Sequence, residues 1–291
     1  MPLGSSELVL NPDGSVYHLN LLPEDIANTV ITVGDPERVK QVAQFFDTVQ
    51  IQKSKREFHT CTGTIKGQRI TVLSTGIGTD NIDIVLNELD ALVNIDLATR
   101  TIKNDLTRLN IVRVGTSGAI QSDIPVDSFL LSEFAIGFDG LMHYYDSGPI
   151  AYGDTIAALV HHTGWATEKP LPYMVKCDAE LIKRFDSNRI RFGCTLTNTG
   201  FYGPQGRILR LPIADSDLQD QLASFNFRGL QLTNIEMETS ALYGLSKIMG
   251  HRAISMNCIL ANRITGDFSK NPKKAMDTLI RFTLDGLMVP A

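Results

Sequence analysis

The stretch Asn110-Ile-Val-Arg-Val-Gly-Thr-Ser-Gly-Ala-Ile-Gln121 carries the features on which the fold and function of this chain depend. Its first residues form a short apolar, β-branched run that is typical of a buried strand. Arg113 interrupts this run, and a buried guanidinium is costly unless it meets an anion. Gly115-Thr116-Ser117-Gly118 follows, and we expect the strand to open there into a loop whose glycines and free N–H groups can face an anion. By itself the segment is equally compatible with a tight turn beside an arginine that pairs with a core carboxylate.

The composition is that of a globular enzyme with ample material for a core. The 291 residues are 43% hydrophobic and 20% charged, and the net charge of −5 argues against nucleic acid as a partner, since that favours a basic surface. No apolar run approaches membrane-spanning length and the N-terminus lacks a signal pattern, so we expect a cytoplasmic protein with no membrane partner. Four cysteines are scattered without CxxC spacing, so we expect buried free thiols rather than a metal site or disulfides.

Apolar β-branched runs alternate with helical patterns from about residue 28 onward, with no linker between them. This alternation predicts a single layered α/β domain over residues 1–291. We expect strands at 29–33, 56–65, 69–73, 128–131, 191–197, 232–235 and 253–260. We expect helices at 36–46, 82–92, 177–185, 236–249 and 273–287, the first one capped by Asp35 with Pro36 in its first turn. We interpret 93–109 as a polar helical connection and 134–172 as loop-rich.

Polar, glycine-assisted segments follow five of the expected strands. They are residues 34–38, 75–78, 113–118, 201–207 and 236–238. Ligands gather at such strand ends in open α/β sheets, so we expect these segments to converge on one site.

The residue types in these segments fall into three chemical groups. Arginines with nearby backbone N–H groups suit an oxyanion. Glu238 can accept the two hydroxyls of a sugar diol while Met237 packs on the ring. Phe201, Gln205 and Arg207 suit a flat heterocycle with carbonyl and N–H edges. Each group also has a structural interpretation: a capped helix with a surface arginine, an acid complementing a helix dipole, and a loop with an aromatic plug.

In their order along the chain these motifs resemble the nucleoside phosphorylase family, from His18 to about Thr265. Gly34-Asp35-Pro36-x-Arg38 and Arg113-x-Gly115-Thr116-x-Gly118 look like its two phosphate motifs. Glu236-Met237-Glu238 looks like its ribose motif. Phe201-Tyr202-x-x-Gln205-x-Arg207 resembles the loop by which its uridine-cleaving members recognise a pyrimidine, the most discriminating motif of the set.

The resemblance implies a role for each matching residue. For phosphate these are Gly34, Arg38, Arg56, Arg113 and Thr116; for ribose His18, Met237 and Glu238; for the base Thr116, Gly118, Phe201, Gln205 and Arg207. Catalysis would rest on Gln205, Arg207, Glu238 and Arg263. His18 and Arg56 would reach the site of a neighbouring subunit, and Glu57 resembles a residue that can bind a monovalent cation between subunits. No organic cofactor is implied.

The resemblance also implies a fold and a reaction. The fold would be α/β: a three-layer α/β/α arrangement with a mixed, partly barrel-like central sheet. The reaction would be reversible phosphorolysis of uridine to uracil and ribose 1-phosphate, at active sites shared within a homodimer or a hexamer built as a trimer of dimers. Residues 93–108 and 138–172 follow no motif of the family and leave the choice between dimer and hexamer open.

Three other functions remain open at this point. A purine nucleoside phosphorylase shares the scaffold but typically has an aspartate after the last strand, where this chain has Asn262-Arg263 with Asp267 four residues later. A nucleosidase would use water in place of phosphate, against which the arginine-rich phosphate motifs argue. A non-enzymatic nucleoside-binding protein would not need three arginines at the phosphate.

Overall fold

The computed structural model of the chain describes residues 2–148, 150, 153–185 and 187–288. The first half contains β1 (Thr29–Val33), α1 (Pro36–Ala43), β2 (Thr48–Lys55), β3 (Phe58–Ile65), β4 (Gln68–Ser74), α2 (Thr79–Asn94), β5 (Ile95–Asp96), β6 (Thr101–Ile102), β7 (Asn110–Ala119) and β8 (Phe129–Gly137). The second half contains α3 (Gly153–Thr163), β9 (Tyr173–Lys176), β10 (Arg191–Thr197), α4 (Leu218–Ser224), β11 (Asn226–Phe227), β12 (Leu230–Glu236), α5 (Thr239–Ile248), β13 (Arg252–Asn262) and α6 (Pro272–Leu287).

One mixed sheet runs through the molecule in the strand order β11-β12-β10-β8-β13-β7-β1-β4-β3-β2, with β9 on β8. The end of β7 also pairs antiparallel with β12, where Asn234 faces Ala119 and Ile235 faces Gly118. This pairing closes β12, β10, β8, β13 and β7 into a ring of five strands. The expectation of an α/β fold with a mixed, partly barrel-like sheet is confirmed.

The central strand β7 is longer than the sequence predicted, and the expected loop at Gly115–Gly118 is wrong. Parallel β13 pairs with β7 along its whole length, from Arg252 opposite Asn110 to Asn262 opposite Ala119. On the other edge β1 pairs only as far as Arg113, and β12 pairs only from Gly118. Among the described strands, residues 114–117 have no partner on that edge, so part of their backbone stays open toward the site.

Three further segments differ from the sequence-based expectation. Arg56 and Glu57 form the turn between β2 and β3 rather than the start of a strand, with Arg56 at φ 56°. Strand β2 was not expected because it is an exposed edge strand with little apolar pattern. Residues 95–102 form the small β5–β6 hairpin rather than a helical connection, with Ile95 opposite Ile102. In 177–185, only Ile182–Phe185 is helical, as a short 3-10 turn.

Other boundaries also shift. Helix α1 ends at Ala43, three residues earlier than expected, while its predicted cap is confirmed because Asp35 Oδ1 accepts from the Glu37 N–H at 2.9 Å. The segment expected to be loop-rich contains the end of β8 and all of α3. Glu236 ends β12 rather than opening a helix, since α5 begins at Thr239.

The core lies between this sheet and its helices. Helix α5 packs on β8, β13 and α2 and is buried from Thr239 to Ser246, while α6 packs its apolar face on β13. All four cysteines are buried and free, as expected. None of the helices in the described part of the chain is long and apolar enough to cross a membrane.

Candidate active site

A cavity of about 920 Å³ lies where the five polar segments meet, at the ends of β1, β4, β7, β10 and β12. Of the sequence-predicted residues, its lining includes Gly34, Arg38, Glu57, Arg113, Thr116, Gly118, Phe201, Gln205, Arg207, Met237 and Glu238. The fold therefore brings together the phosphate, ribose and base motifs that are far apart in sequence.

Arg113 is the buried centre of the cavity floor. Its Nη2 lies 2.6 Å from Glu238 Oε2 and 3.0 Å from Glu236 Oε2. Its Nη1 donates to Ser255 Oγ at 3.3 Å and to Asn257 Oδ1 at 3.2 Å, so β13 fixes the other half of the guanidinium. The interpretation of Arg113 as an arginine paired with core carboxylates is therefore correct.

Electrostatics distinguish the partners in this cluster. Burial alone lowers the pKa of Arg113, but Glu236 and Glu238 together raise it above its ordinary value. Burial, with the like charge of Glu236, raises the pKa of Glu238 although Arg113 opposes the shift. Because Glu236 and Glu238 share the single positive charge of Arg113, the charge of Glu238, which faces the cavity, is only partly balanced.

Glu236 is held by the protein itself. Its carboxylate accepts from Thr197 Oγ1 at 2.7 Å, from Thr239 Oγ1 at 2.8 Å, and from the backbone N–H groups of Glu238 and Thr239 at 3.0 Å. Such a fully bonded carboxylate is a fixed anchor for the β12–α5 junction. Glu238, the residue at the N-cap of α5, is positioned by that junction.

Gly115 is required by the same arginine. A Cβ on Gly115 would lie 2.1 Å from Arg113 Nη1 and 2.4 Å from Cζ, because residues i and i+2 of a strand share a face. The Arg-x-Gly spacing thus lets the guanidinium fold back over its own strand.

Arg38 is the cation that remains available for an anion. Its Nη1 donates only a long bond, 3.4 Å, to Val114 O, and no described carboxylate oxygen lies within 4 Å of its guanidinium nitrogens. Burial and the neighbouring Arg113 lower the pKa of Arg38. Gly34, which follows β1, and Thr116, on the open edge of β7, line the same cavity. A bound anion could therefore contact a cation, a hydroxyl and free backbone N–H groups.

The base loop is organised around Arg207. Its Nη1 donates to Gln205 Oε1 and to Phe201 O, both at 2.6 Å, and its Cζ lies 3.8 Å from the centroid of the Phe201 ring. Gln205 is only 3% exposed, whereas Phe201 is 50% exposed. The amide is therefore oriented by the arginine, and the aromatic face remains open to a ligand.

Arg263 lies behind Gly118 rather than in the cavity lining. Its Cδ would be 3.6 Å from a Cβ on Gly118, and its Nη1 is buried with no hydrogen-bond partner. Burial and the nearby Arg207 lower its pKa to about 10. Two adjacent guanidinium groups that repel each other mark a place where an electron-rich acceptor would be stabilised.

The family model described as the phosphorylase superfamily matches residues 28–284. The chain belongs to the phosphorylase superfamily. Uridine phosphorylase from Thermococcus kodakarensis is 30% identical over 93% of this chain and 86% of its own length. A DeoD-type purine nucleoside phosphorylase from Brevibacillus brevis is 27% identical over 94% of this chain and 98% of its own length.

A solved member of the superfamily has the same fold. The nucleoside phosphorylase of Trypanosoma brucei, described as showing uridine phosphorylase activity, superposes with a TM-score of 0.86 at 28% identity, covering 96% of this chain and 99% of its own. One of the two uridine phosphorylases of Phytophthora capsici superposes with a TM-score of 0.75 at 22% identity, over the whole of both chains.

Two of the residues matched to the superfamily's motifs, His18 and Arg56, lie outside the cavity lining. The Nδ1 of His18 is 2.7 Å from Glu88 Oε1, and the exposed Arg56 has its Cζ 6.0 Å from the Tyr17 ring. The His18 ring also lies beside Tyr17, with the two ring centroids 4.9 Å apart. Glu57, by contrast, lines the cavity, and the described residues include no group of three or more His, Cys, Asp or Glu side chains placed to hold a metal ion.

Sequence reasoning missed several groups that position the site. Ser255 and Asn257, which hold Arg113, were not expected at the site, and residues 75–78 were expected there without the role now seen, in which the Gly78 N–H donates to Glu238 Oε1 at 2.8 Å. Polar residues two positions apart on a buried strand lie on the same face of the sheet. The pair Ser255-x-Asn257 was therefore the signal in the sequence that could have indicated their contact with Arg113. Phe268, 73% exposed at the edge of the cavity, carried no such signal.

Proposed function

We propose that this chain catalyses the reversible phosphorolysis of uridine to uracil and ribose 1-phosphate, without an organic cofactor. The observation that carries the proposal is the base loop, in which Arg207 orients Gln205 and stacks on Phe201, set in one cavity with Arg38 and Glu238. The superfamily membership and the similarity to uridine phosphorylases support it.

Phosphate is the nucleophile in this proposal. Arg38, Gly34 and Thr116 would bind it in the cavity, with Arg113 at the floor. Cleavage of the C1′–N1 bond develops positive charge on the ribose, and the phosphate oxygens oppose that charge before they bond to C1′. No side chain has to form a covalent intermediate.

Glu238 would fix the ribose. Its two oxygens already accept from Arg113 and from the Gly78 N–H, and each retains a further lone pair for one hydroxyl of the 2′,3′-diol. With Met237 beside it, the carboxylate orients the anomeric carbon over the phosphate.

Gln205 and Arg207 would bind the uracil edge. Uracil presents O2, N3–H and O4, which a glutamine amide and a guanidinium fork can pair with as donor, acceptor and donor. As the base leaves, negative charge grows on its carbonyls, and Arg207 with Arg263 behind Gly118 would stabilise that charge.

The end of the last strand argues against purine phosphorolysis. Asn262 is the final residue of β13, and its Nδ2 donates to Gln121 O at 2.9 Å and Ile124 O at 2.8 Å. Asp267 is exposed and accepts from Thr265 Oγ1 at 2.6 Å. Neither side chain is in the cavity lining, so neither is placed to protonate a purine ring.

A homodimer or a larger assembly belongs to the proposal. His18 and Arg56 are absent from the lining of their own chain's cavity, and both lie beside Tyr17, as expected of residues that complete a neighbour's site. Glu57 would then face both subunits and could bind a monovalent cation there. We further propose that residues 1–291 act as one domain in the cytoplasm.

Product analysis tests the reaction. Uridine incubated with orthophosphate should give uracil and ribose 1-phosphate, and uracil release should cease in phosphate-free buffer. Full-rate release with free ribose as product would instead establish a nucleosidase. Uridine binding with no release of uracil under either condition would establish a nucleoside-binding protein.

A further inference from the structure

A second cavity, of about 330 Å³, lies at the end of the sheet opposite the candidate active site. It is bounded by Arg108, two residues before β7, by Arg252 at the start of β13 and by Lys247 near the end of α5. Because β7 and β13 are parallel, their first residues are a full strand length from Gly118 and Asn262 at the other end. The two cavities share no lining residue.

Positive side chains dominate this cavity. Arg108, Lys247 and Arg252 line it, and no described carboxylate oxygen lies within 4 Å of their charged nitrogens. Lys176 adds a fourth charge, with Nζ 3.2 Å from Glu133 Oε1. Like charges gathered in a concave surface repel one another, which disfavours the arrangement unless an anion occupies it.

One carboxylate, that of Asp178, lies in the lining beside these cations. Asp178 Oδ1 accepts from the backbone N–H groups of Glu180 at 3.0 Å and Leu181 at 2.8 Å. Glu180, the next acidic side chain along the chain, lies 2.8 Å from Lys183 Nζ. In the lining, four basic side chains therefore face one carboxylate, and Glu133 offsets one further charge through Lys176, so positive charge remains in excess.

The end of α5 beside the cavity is closed by its own backbone. Gly250, at φ 80°, closes the helix: the His251 N–H donates to Ser246 O at 2.7 Å and the Gly250 N–H to Lys247 O at 3.3 Å. These are the closing bonds of a left-handed C-cap, and they satisfy the last carbonyls of the helix.

Ser246 provides an independent indication of a ligand. Its side chain is 1% exposed, its Oγ has no hydrogen-bond partner in the structure, and it lines the cavity. A buried hydroxyl without a partner is unfavourable by itself, but it is a ready donor to an anion held by the surrounding guanidinium and ammonium groups.

We propose that this cavity is a second anion site, built for a small phosphate-bearing ligand. Arg108 and Arg252 supply forked donors that match phosphate oxygens, Lys247 and Lys176 supply point charges, and Ser246 Oγ donates from the buried wall. Free orthophosphate and a phosphate monoester share this chemistry.

The site can be tested by calorimetric titration of the intact protein with orthophosphate. The wild type should bind two phosphates per chain, one in each cavity. Lys247→Gln/Arg252→Gln should bind one, with an unchanged KM for phosphate in turnover. Lys273→Gln/Lys274→Gln, which removes two exposed charges from the start of α6, should still bind two. A parallel titration with ribose 5-phosphate decides whether the ligand is free orthophosphate or a phosphate monoester. Tighter binding of ribose 5-phosphate than of orthophosphate at this site favours a monoester.

Ser246→Ala separates a ligand site from a mere structural defect. Removing an unpartnered hydroxyl should leave the Tm equal to or above that of the wild type, while affinity at the second site falls about tenfold through loss of a charge-assisted bond. One phosphate per chain in the wild type, retained in Lys247→Gln/Arg252→Gln, would overturn the proposal. So would two phosphates in Lys247→Gln/Arg252→Gln, or unchanged affinity in Ser246→Ala.

Discussion

Glu238→Gln is the substitution that examines the ribose subsite most sharply. It keeps the shape of the side chain but replaces one acceptor oxygen with a donor. Both oxygens of Glu238 accept in the structure, Oε2 from Arg113 Nη2 at 2.6 Å and Oε1 from the Gly78 N–H at 2.8 Å. The amide can satisfy only one of these donors, and it loses the charge that would receive the ribose hydroxyls.

The size of the effect follows from the bonds that change. A hydrogen bond to a charged group contributes about 1.5–3 kcal/mol, so loss of one in the transition state should lower kcat/KM for uridine by about tenfold to more than a hundredfold. The loss should be smaller with 2′-deoxyuridine, since that substrate lacks one of the two hydroxyls that Glu238 would receive. Burial, with Glu236, raises the Glu238 pKa above 4.5. Activity should therefore fall as pH drops through that raised pKa, and this acid limb should be absent in Glu238→Gln.

The assay is kcat/KM at saturating phosphate across pH, with Tm measured on the same samples. Glu168→Gln, an exposed substitution of the same chemistry outside the cavity lining, is the matched control and should behave as wild type. Wild-type kcat/KM in Glu238→Gln together with a lowered Tm would refute the reasoning, because Glu238 would then only stabilise the β12–α5 junction. Equal losses on uridine and 2′-deoxyuridine would refute the assignment to the diol.

Three other substitutions are informative. Arg38→Ala should raise KM for phosphate at least about tenfold without lowering Tm, since no described carboxylate depends on Arg38; an unchanged KM contradicts its role. Mixing inactive Arg56→Ala chains with Arg38→Ala chains should restore part of the activity, and no recovery after verified subunit exchange would mean that Arg56 acts within its own chain. Asn262→Asp should cost about 1–3 kcal/mol of folding free energy, because both carbonyls that its Nδ2 serves lose a donor, and should not raise turnover of inosine. Increased inosine turnover would show that this position faces the base.

The convergence of the site was predictable from the sequence because each of its segments is local. A strand followed by glycine and a polar cluster is written in consecutive residues, as in Gly34–Arg38 or Phe201–Arg207, and parallel strands bring such ends to one edge. The Asp35 cap was predictable for the same reason.

What failed depends on partners distant in the chain. The glycines and hydroxyls of Gly115–Gly118 predict a loop that faces an anion, yet β13 holds the whole segment in strand register. The pairing of Arg113 with both Glu236 and Glu238 crosses more than a hundred residues, so the sequence could not show whether that arginine was free for phosphate. In the structure, Arg38 rather than Arg113 is the arginine without a carboxylate partner, so Arg38 is the one available to bind phosphate.

The relative kcat/KM of uridine, cytidine and inosine at one fixed phosphate concentration tests the central claim most directly. Uridine should be far above cytidine, because cytosine turns an amino group toward Arg207 and lacks the N3 proton that Gln205 accepts, leaving buried polar groups unpaired. Inosine should be near background, because Asn262 is committed to the turn and neither it nor Asp267 lines the cavity. Inosine turned over as well as or better than uridine would contradict the assignment of this site to a pyrimidine.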